Sequence, residues 1–272
     1  MNAAEKIELE LLLEGIYRHY GYDFRDYARA SLVRRLRHHL ELERLESISA
    51  LQHRVLHDEA AFWQLLRRLT INVTEMFRDP SFYLSLREQV VPALRGEGRF
   101  KVWVAGCSSG EEVYSLAIVL KEEGLYERTQ IYATDICLDV LRKAREGRYA
   151  LERMQAYTAN YQKAGGRESF SDYYRADDCC ALMDSGLKGN ILFADHNLAS
   201  DGVFGEMHLI LCRNVLIYFN RDLQERALML FRDSLVPGGF LGLGSKESLR
   251  FAACSADFAD FERRQRLYRR RT

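Results

Sequence analysis

Proline is scarce in this chain, three residues in 272, and no Gly/Ser-rich or repetitive tract occurs. Long disordered segments are therefore not expected. Neither sign of charge is in excess: 39 Lys and Arg face 39 Asp and Glu, for a formal net charge of zero. That balance argues against a wholesale nucleic-acid binder. No apolar run approaches the roughly 20 residues of a membrane-spanning helix, so direct membrane insertion is not expected. The N-terminal "MNAAEKIELE" is polar and acidic, unlike a signal peptide. The six cysteines form no C-x-x-C pair and no metal-ligand spacing with the seven histidines, so no metal is expected. The adjacent Cys179 and Cys180 are poorly placed for a structural disulfide, and reduced thiols in a cytoplasmic protein are the plain expectation. What the chain does have is 47% apolar residues, enough to bury a core in one large domain or two modest ones.

The first seventy residues read as helices: "AEKIELELLLEGIYRHY", "RDYARASLVRRLRHHLELE", "SISALQHRVLH" with Ser47 as N-cap, and "DEAAFWQLLRRLT" opened by Asp58. A small helical bundle is expected. After a polar hinge, "NVTEMFRD", Asp79 is expected to cap a helix whose first position is Pro80, and that helix runs to about Gly96. From Phe100 the period changes. Strand-length apolar runs ("FKVWVAG", "QIYATDI", "NILFADHNL", "MHLILCRNVLIYF", "GGFLGLGS") alternate with helical ones ("EEVYSLAIVLKEEG", "LDVLRKAREGRY", "NRDLQERALMLFRDSL"), and "RRQRLYRRR" is a candidate closing strand. Such alternation means a mostly parallel sheet with helices on both faces. Residues 151 to 190 break the rhythm and suggest a small antiparallel insert, at about 165–190. The expected division is an all-helical part over 1–75, a connecting helix over 76–98 and an α/β part over 99–272.

"VWVAGCSSGEEVYS", residues 102–115, carries the chemistry. A strand, a loop bracketed by Gly106 and Gly110, and a helix start usually mean a phosphate site, because helix N-termini expose N–H groups and partial positive charge. Here the helix opens with Glu111 and Glu112, which would repel a pyrophosphate, and neither G-x-G-x-x-G nor G-K-[ST] is present. The next strand ends at Asp135, a carboxylate placed to accept both hydroxyl protons of a ribose at the switch point of such a sheet. A nucleoside with cationic groups and no phosphates fits these features together, and S-adenosylmethionine is one. Taken singly, two glycines in a loop and two acids in a first turn are ordinary structure; their order along the chain is what points to a site.

At these residues the sequence resembles the CheR family, the chemoreceptor glutamate methyltransferases of bacteria, over nearly its whole length. "NVTEMFRD" is similar to the family's Asn-x-Thr-x-Phe-Phe-Arg segment, "AGCSSGEEVYS" to its Gly-Glu-Glu-x-Tyr-Ser loop and "ATDI" to its second-strand Asp, while "NL" at 197–198 and "CRNVLIYF" at 212–219 complete the set. Met76 stands where the family usually has Phe, and Val113 where proline is common. The resemblance implies a Rossmann-like class I S-adenosylmethionine methyltransferase domain with a small antiparallel β insert, preceded by an all-α domain. It implies that Asn72, Thr74 and Arg78 close over the cofactor and that Glu112, in preference to Glu111, takes its ammonium. Asp135 would bind the ribose, Asn197 and Leu198 would flank the adenine, and Arg213 and Asn214 would line the methyl side, with Gly106 in the first turn. Arg78 and Tyr218 would orient the acceptor carboxylate. The implied reaction makes glutamate methyl esters on a methyl-accepting receptor and leaves S-adenosylhomocysteine; a module that senses the cofactor without turnover, and a methyltransferase of another acceptor, are the alternatives.

Residues 28–40, "ARASLVRRLRHHL", hold four arginines, two histidines and no acid. On a helical wheel Leu32, Val33, Leu36 and Leu40 share one face, and Arg34, Arg35, Arg37 and His38 the other. A single-signed face favours an acidic partner, and the resemblance names one: the helical cytoplasmic bundle of a chemoreceptor. Nucleic acid is not expected, because stacking aromatics are not interleaved there. A cytoplasmic monomer is expected.

Overall fold

The computed structural model describes residues 1–70, 74–96, 98–250 and 252–272. Its contacts divide the chain into two compact units, Met1–Ile71 with Asn197–Gly202 and Leu216–Ala227, and Asn72–His196 with Val203–Val215 and Leu228–Thr272.

The first unit is a helical bundle of α1 (Ala3–Tyr20), α2 (Arg29–Glu43), α3 (Ile48–His57) and α4 (Glu59–Leu69). The expected caps are present: Ser47 accepts from the Ala50 N–H and Asp58 from the Ala60 N–H. The apolar stripes meet inside, with Leu12, Leu13, Ile16, Phe24, Leu36, Val55 and Leu65 all sealed from solvent, and Tyr20 stacks on Phe62 at 3.8 Å. The segment after Val215 belongs to this bundle. The Ala28 N–H donates to the Tyr218 carbonyl at 2.8 Å, and the Asn220 N–H to that of Asp26 at 2.8 Å.

The second unit opens with α5 (Pro80–Ser85), a π-helical turn (Leu86–Val90) and α6 (Val91–Leu94). The expected single helix is thus interrupted by the wider turn just ahead of Pro92, which has no N–H to give an α-helical ladder. Then come β1 (Phe100–Ala105), α7 (Glu111–Glu122), β2 (Thr129–Asp135), α8 (Leu138–Glu146), β3 (Arg148–Ala150), α9 (Met154–Lys163), β4 (Tyr174–Ala176), β5 (Cys180–Met183), β6 (Ile191–Asp195), β7 (Met207–Cys212), α10 (Arg221–Ser234, which begins in the helical unit), β8 (Leu235–Leu243), β9 (Phe258–Glu262) and β10 (Leu267–Arg270). The large sheet has the order β6-β2-β1-β7-β8-β10-β9. Its first five strands are parallel, and β10 pairs antiparallel with β8 and β9. Order reverses between β1 and β7, which places the crevice for a ligand beyond the carboxyl ends of β1, β2 and β7.

Three expectations need correcting. The run from Met207 is a strand only to Cys212, because Asn214 turns left-handed at φ 62°. The insert contains the helix α9, and the antiparallel sheet β3-β5-β4 takes one strand from before that helix and two from after it. A further edge strand, β9, precedes the closing one. Among the described residues no helix is long and apolar enough to cross a membrane.

Candidate functional site

The loop after β1 is shaped by what its glycines permit. Gly106 has φ +73°, and a Cβ there would stand 2.5 Å from Val215 Cγ2; Gly110, the N-cap of α7, has φ +93°, and a Cβ there would press on Ala144. The close approach at Gly106 is therefore made by the Val215 side chain. Between the glycines the Ser108 N–H donates to Asp135 Oδ2 at 2.8 Å, and the Cys137 N–H donates to Asp135 Oδ1 at 3.0 Å. These bonds hold the carboxylate at the end of β2 and leave it acceptor capacity for two hydroxyls. Asp135 is 8% exposed, and burial pushes its carboxyl up while the backbone N–H groups oppose that.

The two acids of α7 differ in surroundings. Glu112 pairs with Arg213 Nη1 at 2.9 Å, and its side chain keeps 14% exposure. Burial raises its carboxyl above the usual range, and Arg213 counters. Glu111, at 3% side-chain exposure, has Arg153 at 3.9 Å and accepts from Ser109 Oγ at 2.7 Å. With so little compensation, burial pushes the Glu111 carboxyl up to about 7.

Arg213, directly after β7, is the hub. Its side chain is 1% exposed. Nη2 donates to Asp79 Oδ2 at 2.7 Å and to the Arg78 carbonyl at 3.2 Å, and the guanidinium lies 4.1 Å over the Phe82 ring. Burial alone would lower its affinity for a proton, but Glu112, Tyr83 and Asp79 outweigh it. Nε is buried without a hydrogen-bond partner. Asp79 thus departs from expectation: it stands at the N-cap of α5, with Pro80 following, but at φ 57° and without a side-chain cap bond. Its carboxylate is spent on Arg213 instead. The segment before it is tied down as well. The Phe77 N–H donates to Ser115 Oγ at 2.9 Å, Asn160 Nδ2 to the Met76 carbonyl at 3.1 Å and Arg153 Nη1 to the Thr74 carbonyl at 3.4 Å. Met76 and Val113, the two departures from the family pattern, are fully buried.

Sequence reading missed Glu247. It is 4% exposed and accepts from the backbone N–H groups of Asn214 at 3.0 Å, Val215 at 2.9 Å and Gly244 at 2.7 Å. It fixes the left-handed turn that carries Asn214. Nothing local marks it, since its partner loop lies more than thirty residues away.

The structure therefore brings Gly106, Glu111, Glu112, Asp135, Arg213, Asn214 and the Arg78 backbone together in the second unit. Asn197, Leu198 and Tyr218 fall in the helical unit. There the Asn197 N–H donates to Asp201 Oδ2 at 2.8 Å, and the Asn197 Oδ1 caps the Ala199 N–H at 3.0 Å. Asn72 lies outside the described residues. On α2, Arg34, Arg37 and His38 are exposed and Arg35 is half-buried. It donates to the Leu69 carbonyl and, at 3.1 Å, to Ser31 Oγ, and lies 5.0 Å over the Tyr218 ring. Lys6, Arg29, Arg34, Arg35, Arg37 and Arg68 help line a hollow of about 860 Å³ beside α2.

The donor set suits a zwitterionic nucleoside: a carboxylate for a ribose diol and a partly open carboxylate beside a buried guanidinium for an amino-acid head group, with no cation cluster for phosphates among the described residues. Comparison with known proteins agrees. One family model, described as the CheR methyltransferase SAM binding domain, matches residues 72–263, and a second, the CheR methyltransferase all-alpha domain, matches residues 7–70. A Pseudomonas putida protein carrying the name methyltransferase Cher3 is 55% identical over 97% of this chain and 97% of its own. The chemotaxis protein methyltransferases of Salmonella typhimurium (31% identical, 86% of this chain, 81% of that one) and Listeria innocua (30%, 86% and 87%) are also similar.

Proposed function

The chain belongs to the CheR family of S-adenosylmethionine-dependent methyltransferases, and from that premise we propose that it esterifies glutamate side chains of a methyl-accepting chemoreceptor in the cytoplasm. The observation that carries the proposal is the buried acidic wall, Asp135 with Glu111 and Glu112, at the switch point of the sheet. Bound S-adenosylmethionine supplies a methyl group on a positively charged sulfur. Asp135 accepts the ribose hydroxyls. Glu112 faces the ammonium, and Arg213, whose Nε lacks a partner, faces the amino-acid carboxylate. Asn214, held by Glu247, lines the methyl side.

The acceptor chemistry asks little of the protein. A glutamate carboxylate has pKa near ~4.3 and is already ionised and nucleophilic at neutral pH, so no general base is needed. Charge disappears as the reaction proceeds, and alignment with exclusion of water is the effective contribution, worth up to ~7–11 kcal/mol. Arg78 orients the acceptor carboxylate. Tyr218, under the Arg35 guanidinium, is the second residue assigned to orienting the acceptor. The exposed arginines of α2 and the basic hollow beside them meet the acidic surface of the receptor bundle.

Labelled cofactor incubated with the enzyme and a receptor cytoplasmic fragment tests this. Label released by mild alkali is the expected result. Alkali-stable label would mean an amine acceptor, and no incorporation would mean a sensor.

A further inference from the structure

The turn between β4 and β5 gathers three metal-binding side chains that the methyltransferase reading does not use. Asp177, Cys179 and Cys180 offer one carboxylate oxygen and two sulfurs, all within 4.8 Å of one another. Neighbouring residues in a regular strand point to opposite faces. Here they converge, because Cys179 still lies in the turn and Cys180 is the first residue of β5. Asp177 Oδ1 shapes that turn by accepting the backbone N–H groups of Cys179 at 3.0 Å and Cys180 at 2.7 Å. Cys179 is exposed and Cys180 half-buried, whereas Cys107, Cys137, Cys212 and Cys254 are buried.

We propose that Asp177, Cys179 and Cys180 form a binding site for a soft divalent cation of the zinc and cadmium class, with the fourth position left to solvent.

The spacing supports this. Around a tetrahedral zinc, two sulfurs at about 2.3 Å stand about 3.8 Å apart, and a sulfur and a carboxylate oxygen about 3.6 Å apart. The two sulfurs here are 3.4 Å apart, and Cys179 Sγ lies 3.6 Å from Asp177 Oδ1. Both distances lie within a few tenths of an ångström of those values, and the third pair lies within 4.8 Å. A disulfide would need sulfurs at about 2.05 Å, a much larger closure between adjacent residues. Binding breaks two S–H bonds, gives both protons to solvent and forms two metal–sulfur bonds, with no oxidation or reduction. Two thiolates and a carboxylate around a divalent ion leave one net negative charge, and Arg148, 2.8 Å from Asp177 Oδ2, offsets it.

The test is titration of the full chain, kept reduced with a phosphine, with Cd²⁺ followed by its thiolate charge-transfer absorption, and Zn²⁺ as competitor. One ion per chain is expected, displaced by Zn²⁺, with the band lost in Cys179→Ser and in Cys180→Ser. Asp177→Asn keeps an oxygen for the turn and should weaken binding at least tenfold. Binding of S-adenosylhomocysteine should be unchanged in all three variants, which shows that they fold. No band with ion in several-fold excess, an undiminished band in either cysteine variant, or full affinity in Asp177→Asn would each overturn the site.

Discussion

Replacing Glu111 by Gln should stabilise the protein in alkaline buffer and do so much less in acid. Glu111 is 2% exposed, its nearest cation stands at 3.9 Å, and its carboxyl is pushed up to about 7 from an ordinary 4.5 by burial. A carboxyl whose folded pKa is raised binds its proton more tightly in the native state. Stability then falls as pH rises from about 4.5 to about 7 and stays reduced above that window. A gap of about 2.5 pKa units at 1.36 kcal/mol each corresponds to about 3 kcal/mol at pH 8, as an order of magnitude. Gln keeps an oxygen to accept from Ser109 and carries no charge at any pH. Urea unfolding of wild type and Glu111→Gln at pH 5 and pH 8 isolates the effect, because Glu112 and Asp135, also raised, titrate in both proteins and cancel in the difference. The variant should gain about 3 kcal/mol at pH 8 and only about 1 kcal/mol at pH 5, which lies just inside the window. Equal differences at both pH values would show that Glu111 is not an undercompensated charge, and the reasoning about this wall of the site would fail with it.

Gly106→Ala puts a Cβ 2.5 Å from Val215 Cγ2 at φ +73°, and should cost about 2–5 kcal/mol in denaturant unfolding; a cost below 1 kcal/mol would mean the turn is loose. Asp135→Asn should weaken S-adenosylhomocysteine binding in calorimetry by about 1.5–3 kcal/mol, the worth of a charged hydrogen bond, and unchanged affinity would refute the ribose role. Arg78→Ala should lower turnover sharply with an unchanged melting transition, and near-normal turnover would remove Arg78 from the mechanism. Arg34→Glu with Arg37→Glu should depress receptor methylation and spare cofactor affinity; if methylation holds, the face is only solvated surface.

Legibility in the sequence followed the range of the interactions. The helices of the bundle, the caps at Ser47 and Asp58 and the parallel strands were readable because period and cap chemistry act within a few residues. Asp135 and the Gly106–Gly110 loop were readable because a parallel sheet puts strand ends at one rim. Asp79 misled because an acid before proline looks like a cap; its choice of Arg213 is a contact over 134 residues. Glu247 left no local trace for the same reason. Arg35 stands between the two cases: its spacing from Leu32, Leu36 and His39, all buried, sets it beside the core stripe of α2, while it also lines the hollow there. In the insert, Met154, Tyr157 and Tyr161 repeat at helical spacing and are buried, but polar residues between them masked α9.

The backbone of the candidate site bears on the proposed chemistry. Six non-glycine residues among those described have positive φ, and four of them, Phe77, Asp79, Ser108 and Asn214, lie in the candidate site. A left-handed L-residue costs roughly 1–2 kcal/mol, and less for Asp and Asn, so Phe77 and Ser108 alone store about 2–4 kcal/mol, a sizeable part of the net stability of a domain, about 5–15 kcal/mol. Such strain persists only where surrounding contacts over-determine it, and each of the four has its clamp: Ser115 Oγ on the Phe77 N–H, Arg213 on Asp79, Asp135 on the Ser108 N–H and Glu247 on the Asn214 N–H. Three of those clamps, Arg213, Asp135 and Glu247, are charged side chains that are themselves buried, the kind of group that loses most when its contact is removed. Under the proposed reaction, in which an ionised oxygen takes a methyl from a cationic sulfur, atoms must be held in line, and clamped backbone would supply that alignment.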